Sequence, residues 1–403
     1  MREPHEQGWS DRRVFAVAWF FWTISAALGV LLRLQAVRPV VGLAYGHVLH
    51  AHSHVAFLGW IFNAFFALAL RLFVPVPERG GYIRLFLVTQ IAVAGMLFTY
   101  PFTGYAAASI SFSTLHMVCA GVWAWKLLRR NRAAPAARPF LWIAFGCMLL
   151  SGLGPLALGP LAALDLRESP WYLLSIYFYL HFQYNGWFVF FLLAVLLQQL
   201  AAGGNNSLQP AARRTAGWLA AGTVLTLALS ALWLAPPRWV YVAALAGGAA
   251  LLMGSVPLWH LARRATGLFR TPLTRLLAGT ALAVLLVKHV LQFVAAWPGL
   301  ALLAEQRFVV IGFLHLVFLG IVSPLLVAWG REAGWWRLTP AGRAGLGLLG
   351  IGFVVTQLGL FYPPLAGLAG APPWPRLLET LLAGAIAMAL GIAAMFPGTW
   401  QKR

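Results

Sequence analysis

Residues 46–73 read GHVLHAHSHVAFLGWIFNAFFALALRLF. This stretch is apolar except for its histidines and a few other polar residues, and it exceeds the ~20 residues that a membrane-spanning helix needs. The whole chain has the same character, with 61% hydrophobic and only 9% charged residues. A soluble domain carries about a quarter charged residues. The sequence therefore predicts an integral membrane protein and excludes a soluble globular one.

Eleven further apolar segments reach about the length that a spanning helix needs, which gives twelve predicted spans. The gaps between them are short, polar or rich in Pro and Gly, and none has room for a soluble domain. We therefore predict an all-α fold, a single twelve-helix transmembrane domain covering residues 1–403. The predicted spans are 14–36, 46–73, 83–101, 106–128, 139–164, 171–199, 215–235, 238–261, 273–298, 306–329, 343–365 and 374–397.

The basic residues predict the orientation. The chain has 29 Lys and Arg residues against 9 Asp and Glu, for a formal net charge of +20. Most of the basic residues lie in the two tails and in the loops that follow even-numbered spans. Cytoplasmic loops collect Lys and Arg, so we predict both termini inside, in a bacterial cytoplasmic membrane with lipid as the surrounding partner. Nucleic-acid binding is excluded, because the charges are not clustered on one folded face.

The two cysteines, Cys119 and Cys147, lie inside apolar segments and form no CxxC pair. This pattern indicates neither a disulfide framework nor a thiolate metal site. It also excludes covalent attachment of a c-type haem, so any haem is held by other side chains.

Five histidines on five different spans fall at a similar predicted depth. At ~1.5 Å per helical residue, each lies roughly 9–15 Å below the outer surface. A histidine inside the membrane is a functional candidate by default, and imidazole is the usual axial ligand of haem iron and also suits copper. The layer therefore predicts a haem or metal site near the outer face. Its members are His52, His116, His181, His289 and His315.

Other interpretations of the histidines stay open on spacing alone. A lone histidine in a span can simply bond a neighbouring carbonyl or hydroxyl group. A cofactor-free transporter could use one in a proton relay, although such proteins usually carry acids or broken helices in mid-membrane. Spacing also favours a different metal site, because His47, His50 and His54 share one helix face and His52 lies on another.

Two stretches resemble a known family. The stretch from His52 to Asn63, HSHVAFLGWIFN, is similar to the second helix of subunit I of the haem–copper oxidases, above all the cbb-type oxidases and the related nitric oxide reductases. That helix carries the low-spin haem histidine, then a glycine and an asparagine at the same offsets. The stretch GFLHLVFLG at 312–320 resembles the family's Gly-His-x-His…Gly helix, with His315 as the second histidine. The resemblance implies a low-spin haem b held by His52 and His315.

The same resemblance implies the surroundings of that haem and its use. Asn63 accompanies the haem histidine, and Arg376 lies in the loop where the family places arginines that bind the haem propionates. The implied function is respiratory electron transfer, or oxygen or nitric oxide chemistry. A quinol or a periplasmic carrier would donate the electrons, and other membrane subunits would be partners.

The sequence departs from the family at its second metal centre. Phe313 replaces the histidine that binds the catalytic haem, and the predicted span 215–235 lacks the two copper histidines. His181 stands where the family has its other copper ligand, with Tyr184 one position short of the tyrosine offset seen in some oxidases. We therefore expect an incomplete dinuclear site. Its candidate catalytic residues are His181 and Tyr184, and its candidate ligands for copper or non-haem iron are His181, His289 and His116.

A second resemblance is to the NnrS family, twelve-span haem- and copper-binding proteins tied to nitric oxide tolerance. His50-Ala51-His52 and Leu314-His315 look like that family's His-Ala-His and Leu-His motifs. This resemblance implies the alternative of a non-catalytic haem protein that senses or buffers nitric oxide.

Overall fold

The computed structural model describes residues 10–130, 132–201, 208–304 and 306–399. These ranges contain helices and no strand, and twelve of the helices are long and apolar enough to cross a membrane. The predicted all-α, twelve-span fold is therefore confirmed. The helices, α1 to α12 in chain order, are Asp11–Val37, Tyr45–Phe73, Val76–Thr103, Ala107–Arg130, Arg138–Ala163, Pro170–Ala201, Gln209–Leu234, Arg238–Ala265, Pro272–Val294, Arg307–Glu332, Pro340–Ala369 and Leu377–Gly398.

Most helix ends lie within a few residues of the predicted span edges. The largest differences are the beginnings of α3 and α7, which start at Val76 and Gln209 rather than at 83 and 215. In both helices a proline occupies the first turn, where its missing N–H costs nothing. The polar residues that follow extend each helix beyond its apolar part, so an apolar length alone places the start too late.

The helices form two compact units. The first comprises residues 1–127, 330–356 and 375–403, and the second comprises 128–329 and 357–374. The single domain over residues 1–403 stays a prediction. The two chain ends predicted to be cytoplasmic, at residues 1–9 and 400–403, lie outside the described residues.

Tryptophans pack the first unit. Trp22 and Trp60 stack with ring centroids 4.4 Å apart, and Trp19 stacks on Trp336 at 5.7 Å. The indole nitrogen of Trp19 donates to the carbonyl of Ile392 at 3.3 Å. Aromatic pairs combine a large contact area with a defined geometry. The pair of Trp22 and Trp60 holds α1, the helix that positions His52, against α2, and the bond from Trp19 to Ile392 holds it against α12.

Three spans contain a wide, π-helical turn shortly after a histidine. Turns of this kind are rare and frequently lie at functional sites. The histidines concerned are His52, His181 and His315, on α2, α6 and α10. The turns are Val55–Ile61, Phe182–Phe188 and Phe318–Val322.

Small residues bring two helices of the second unit close together. A Cβ atom on Gly222 of α7 would lie 2.7 Å from Leu251 of α8, and one on Gly247 would lie 2.7 Å from the Thr226 amide nitrogen. Close backbone approach through small residues is typical of membrane helix packing. Beyond this contact α7 ends in the 3₁₀ segment Thr226–Leu234, which forms part of a cavity wall described below.

Candidate functional site

Helix α1 holds the imidazole of His52 within the first unit. Its Nδ1 lies 2.8 Å from the backbone carbonyl oxygen of Ser25, and the Ser25 hydroxyl donates to the His52 carbonyl at 3.4 Å. Because a carbonyl only accepts, we assign the proton to Nδ1. The lone pair of the ring then lies on Nε2. Metal-binding histidines usually have this arrangement, with the second nitrogen donating to a carbonyl or carboxylate.

The room for this ring depends on Gly29. A Cβ atom at that position would lie 3.1 Å from His52 Cε1 and 3.5 Å from His52 Nδ1. Carbon atoms in favourable contact are about 3.5–4.0 Å apart, so any side chain on residue 29 would press on the ring. Neither Ser25 nor Gly29 was identified from the sequence. A glycine inside a helix costs about 1 kcal/mol relative to alanine, and that cost was the one available signal.

The histidines on the other face of α2 pack against tyrosines. His54 donates from Nδ1 to the His50 carbonyl at 2.8 Å, and its Nε2 accepts from the Tyr100 hydroxyl at 3.3 Å. The ring of His50 meets that of Tyr105 edge-on, with centroids 4.4 Å apart. Among the described residues no group of three or more His, Cys, Asp or Glu is placed to hold a metal ion. Spacing favoured a metal site on this face of α2. In the structure two of its three histidines, His50 and His54, instead form an aromatic, partly hydrogen-bonded contact with Tyr100 and Tyr105.

Asn63 is fully buried and forms a reciprocal amide pair with Gln90 of α3. Its Nδ2 donates to Gln90 Oε1 at 2.8 Å, and Gln90 Nε2 donates back to Asn63 Oδ1 at 3.1 Å. The pair ties α2 to α3. A role for Asn63 beside a haem stays a prediction.

His116 and Arg376 occupy very different surroundings in the first unit. His116 is 2% exposed and meets Phe62 edge-on, and its Nε2 has no hydrogen-bond partner among the described residues. Arg376 is exposed at the start of α12 with a φ of 52°. Its carbonyl accepts from both the amide and the hydroxyl of Thr380, each at 3.0 Å. Their roles as metal ligand and propionate partner stay predictions.

In the second unit, His315 resembles His52 in how its ring is held. Its Nδ1 lies 2.8 Å from the Ile311 carbonyl, one turn earlier in α10, so the lone pair again lies on Nε2. The Gln357 amide of α11 bridges the same turn. Its nitrogen donates to the Gly312 carbonyl and its oxygen accepts from the Leu316 amide, both at 3.2 Å. No sequence pattern indicated that Gln357 would support this turn.

His181 has both ring nitrogens engaged. Its Nε2 donates to the Thr223 carbonyl of α7 at 2.7 Å, and its Nδ1 accepts from the Asn185 amide at 3.1 Å. A neutral imidazole has one donor and one acceptor nitrogen. Neither nitrogen remains for a metal in this arrangement.

The other candidates of the second unit have separate contacts. The ring of Tyr184 packs edge-on against Phe313 with centroids 5.7 Å apart. The Ser255 hydroxyl donates to the Leu251 carbonyl at 2.9 Å and therefore accepts from His289 Nδ1 at 2.7 Å. His181 and His289 thus bond to different helices, α7 and α8. A second metal held by His181, His289 and His116 stays a prediction.

A cavity of 310 Å³ lies in the second unit among α6, α7, α9, α10 and α11. Its walls are mostly aliphatic and aromatic, and none of the described residues that line it is Asp, Glu, Lys or Arg. A concave, largely apolar site with a few polar groups is typical of small-molecule binding. The polar members of the lining, besides the tyrosines, are His181, Asn185, Ser230 and Gln292.

Comparison with known proteins supports the fold. No protein-family model matches the chain, and no curated protein matches it. A heme-copper terminal oxidase, solved as a dimer by cryo-EM, has a similar structure, with a TM-score of 0.66 and 13% sequence identity. The alignment covers 98% of this chain and 84% of that one. At this identity the likeness shows a shared fold and nothing finer.

Proposed function

We propose that this protein is a haem-b-binding membrane protein of electron transfer, with His52 and His315 as the two axial ligands. The fold shared with a heme-copper oxidase and the motifs on α2 and α10 support the proposal. The observation that carries it is the matched state of the two rings. Each donates from Nδ1 to a backbone carbonyl at 2.8 Å, so each presents the lone pair on Nε2.

The residues present fit the requirements of such a haem. A haem b held by two neutral imidazoles supplies a one-electron redox centre with six ligands in both valences. Ser25 and Gly29 fix the plane and position of the His52 ring, and Gln357 supports the turn that carries His315. Arg376, exposed at the start of α12, is a cation available to the haem carboxylates.

We further propose that the electrons come from a quinol or a periplasmic carrier and that other membrane subunits take part. The chain has no CxxC haem attachment motif and no room between its spans for a soluble copper domain. From the predicted depth of the histidine layer we propose that the redox centre lies towards the outer face of a bacterial inner membrane.

A second candidate function is stoichiometric binding of nitric oxide without turnover, as the NnrS resemblance implies. The engagement of both His181 nitrogens and the presence of Phe313 favour it over a working cbb-type oxidase or nitric oxide reductase. Consumption of oxygen or nitric oxide by the reconstituted protein separates the two. Sustained turnover with a quinol supports the enzyme, and saturation at one molecule per chain supports the buffer.

The haem itself is tested by a dithionite-reduced minus oxidised spectrum of the purified chain, with haem counted per chain. We expect an α band in the wild type and its loss in both His52→Ala and His315→Ala. His47→Ala, on the other face of α2, is the matched control and should keep the band. A colourless wild-type preparation contradicts the proposal and favours a cofactor-free transporter.

A further inference from the structure

The cavity of the second unit contains one polar group whose orientation is determined by a buried lysine. Lys288 and Gln292 lie on successive turns of α9 and are 1% and 4% exposed. Lys288 Nζ donates to Gln292 Oε1 at 2.7 Å. The amide oxygen is the acceptor of this bond, so it faces Lys288. Gln292 lines the cavity. Because its oxygen bonds Lys288, its N–H groups are the ones left to bond a ligand.

The walls around Gln292 are uncharged and aromatic. Tyr184, Phe313 and Trp233 contribute rings, and the Trp233 indole nitrogen is already bonded to the Ser230 carbonyl at 2.9 Å. Because no described residue of the lining is Asp, Glu, Lys or Arg, a charged ligand would lose its hydration without compensation from these walls. The occupant is therefore uncharged, with a flat or apolar body and a group that accepts a hydrogen bond.

The same residues do not fit a second haem. A haem in this cavity would need an imidazole with an available nitrogen and cations for its carboxylates. His181 is the one histidine of the lining, and both of its nitrogens are bonded. Phe313 lies where the resemblance would require the iron ligand.

The cavity extends to a surface that would face lipid. Leu365 and Leu368 of α11 both line it, and they are 58% and 57% exposed. Apolar side chains this exposed on a spanning helix lie against acyl chains. A ligand with a long apolar tail could enter from the bilayer and leave the tail there.

We propose that this cavity binds the head group of a lipid-soluble quinone, with a quinone carbonyl accepting an N–H of Gln292. The ring lies among Tyr184, Phe313 and Trp233, and the tail leaves past Leu365. This proposal rests on the proposed function in one respect, since it assigns a binding site to the quinol that would donate the electrons. Binding itself requires no haem.

The test is calorimetric titration of the full-length purified chain with decylubiquinone. We expect saturable binding of one molecule per chain. Gln292→Glu keeps an oxygen for Lys288 but removes the N–H donors, and it should raise the dissociation constant about tenfold. Ala295→Phe, which adds a ring to the cavity wall, should abolish binding. Gln183→Leu is the control and should bind as the wild type does, because Gln183 bonds Ser151 away from the cavity.

Several outcomes overturn the proposal. These are an absence of saturable binding to the wild type, an unchanged dissociation constant in Ala295→Phe, and a second haem per chain that Ala295→Phe removes. Copurified phospholipid that decylubiquinone does not displace also overturns it, because the cavity would then be a lipid site. The α band, recorded on the same samples, separates the two proposals. Lost quinone binding with the band intact refutes this site alone, and saturable binding without the band refutes the haem alone.

Discussion

Replacing Gly29 by alanine tests whether α1 positions the proposed haem ligand. The added Cβ would lie 3.1 Å from His52 Cε1, whereas carbon contacts prefer about 3.5–4.0 Å. The ring must therefore move by a few tenths of an ångström. A movement of that size stretches or bends the 2.8 Å bond from Nδ1 to the Ser25 carbonyl.

The expected effect on stability is small because two contributions oppose each other. Alanine in place of glycine inside a helix gains about 1 kcal/mol, and weakening one buried hydrogen bond costs about 1 kcal/mol. The effect on haem should be larger. Changes in the groups that orient a metal-bound histidine typically cost 10- to 100-fold in affinity. We therefore expect haem affinity to fall about tenfold in Gly29→Ala and further in Gly29→Val.

The assay is a haem titration of the purified apoprotein followed by its α band, with thermal unfolding on the same samples. Gly347→Ala is the matched control, since Gly347 lies inside α11 in the same unit and its Cβ would meet nothing within 4 Å. It should bind haem as the wild type does. Unchanged haem affinity in both Gly29 variants, with folding intact, would refute the positioning role of α1.

Three further predictions concern packing and the second metal. Asn63→Leu should lower the free energy of unfolding by about 1–2 kcal/mol, because Gln90 loses its buried partner. The double variant with Gln90→Leu should lower it by less than the sum of the two single variants. Additive losses in thermal unfolding would disprove the coupling. His181→Phe should leave iron and copper per chain unchanged in elemental analysis, because both ring nitrogens already have partners, and a loss of copper would contradict this. Trp60→Ala should lower the free energy of unfolding by about 3 kcal/mol, since Trp60 is 2% exposed and stacked on Trp22. Trp142 is 52% exposed, so Trp142→Ala should lower it much less.

The fold could be predicted from the sequence because every membrane span must meet the same requirement. Each segment must be apolar and long enough to cross, and that property is local to the segment. The segment 46–73 shows this, since α2 covers Tyr45–Phe73. The starts of α3 and α7 were predicted too late, because their polar first turns need no apolar length.

The state of each histidine could not be predicted, because it depends on groups far away in the chain. The nitrogen of His52 that carries the proton follows from a carbonyl on α1, and the engagement of His181 follows from Thr223 on α7. The sequence analysis grouped the five histidines into one layer because their predicted depths are similar. In the structure the rings of His52 and His315 each bond a backbone carbonyl through Nδ1, whereas His181 bonds Thr223 through Nε2 and Asn185 through Nδ1.

The π-helical turns are a second feature that the sequence did not reveal. A wide turn depends on what packs beside it as well as on its own residues. The segment Phe318–Val322 has the same apolar composition as the regular helix around it. Just before it, the Leu316 amide donates a hydrogen bond to the side chain of Gln357. The two residues are 41 positions apart, so no local sequence pattern reveals this contact.

The most direct test of the haem proposal is a cryo-EM map of the purified, full-length protein. We expect one planar porphyrin density whose iron is joined on its two faces to Nε2 of His52 and Nε2 of His315. A map in which either ring points away from such a density, or in which neither ring meets one, would contradict the account.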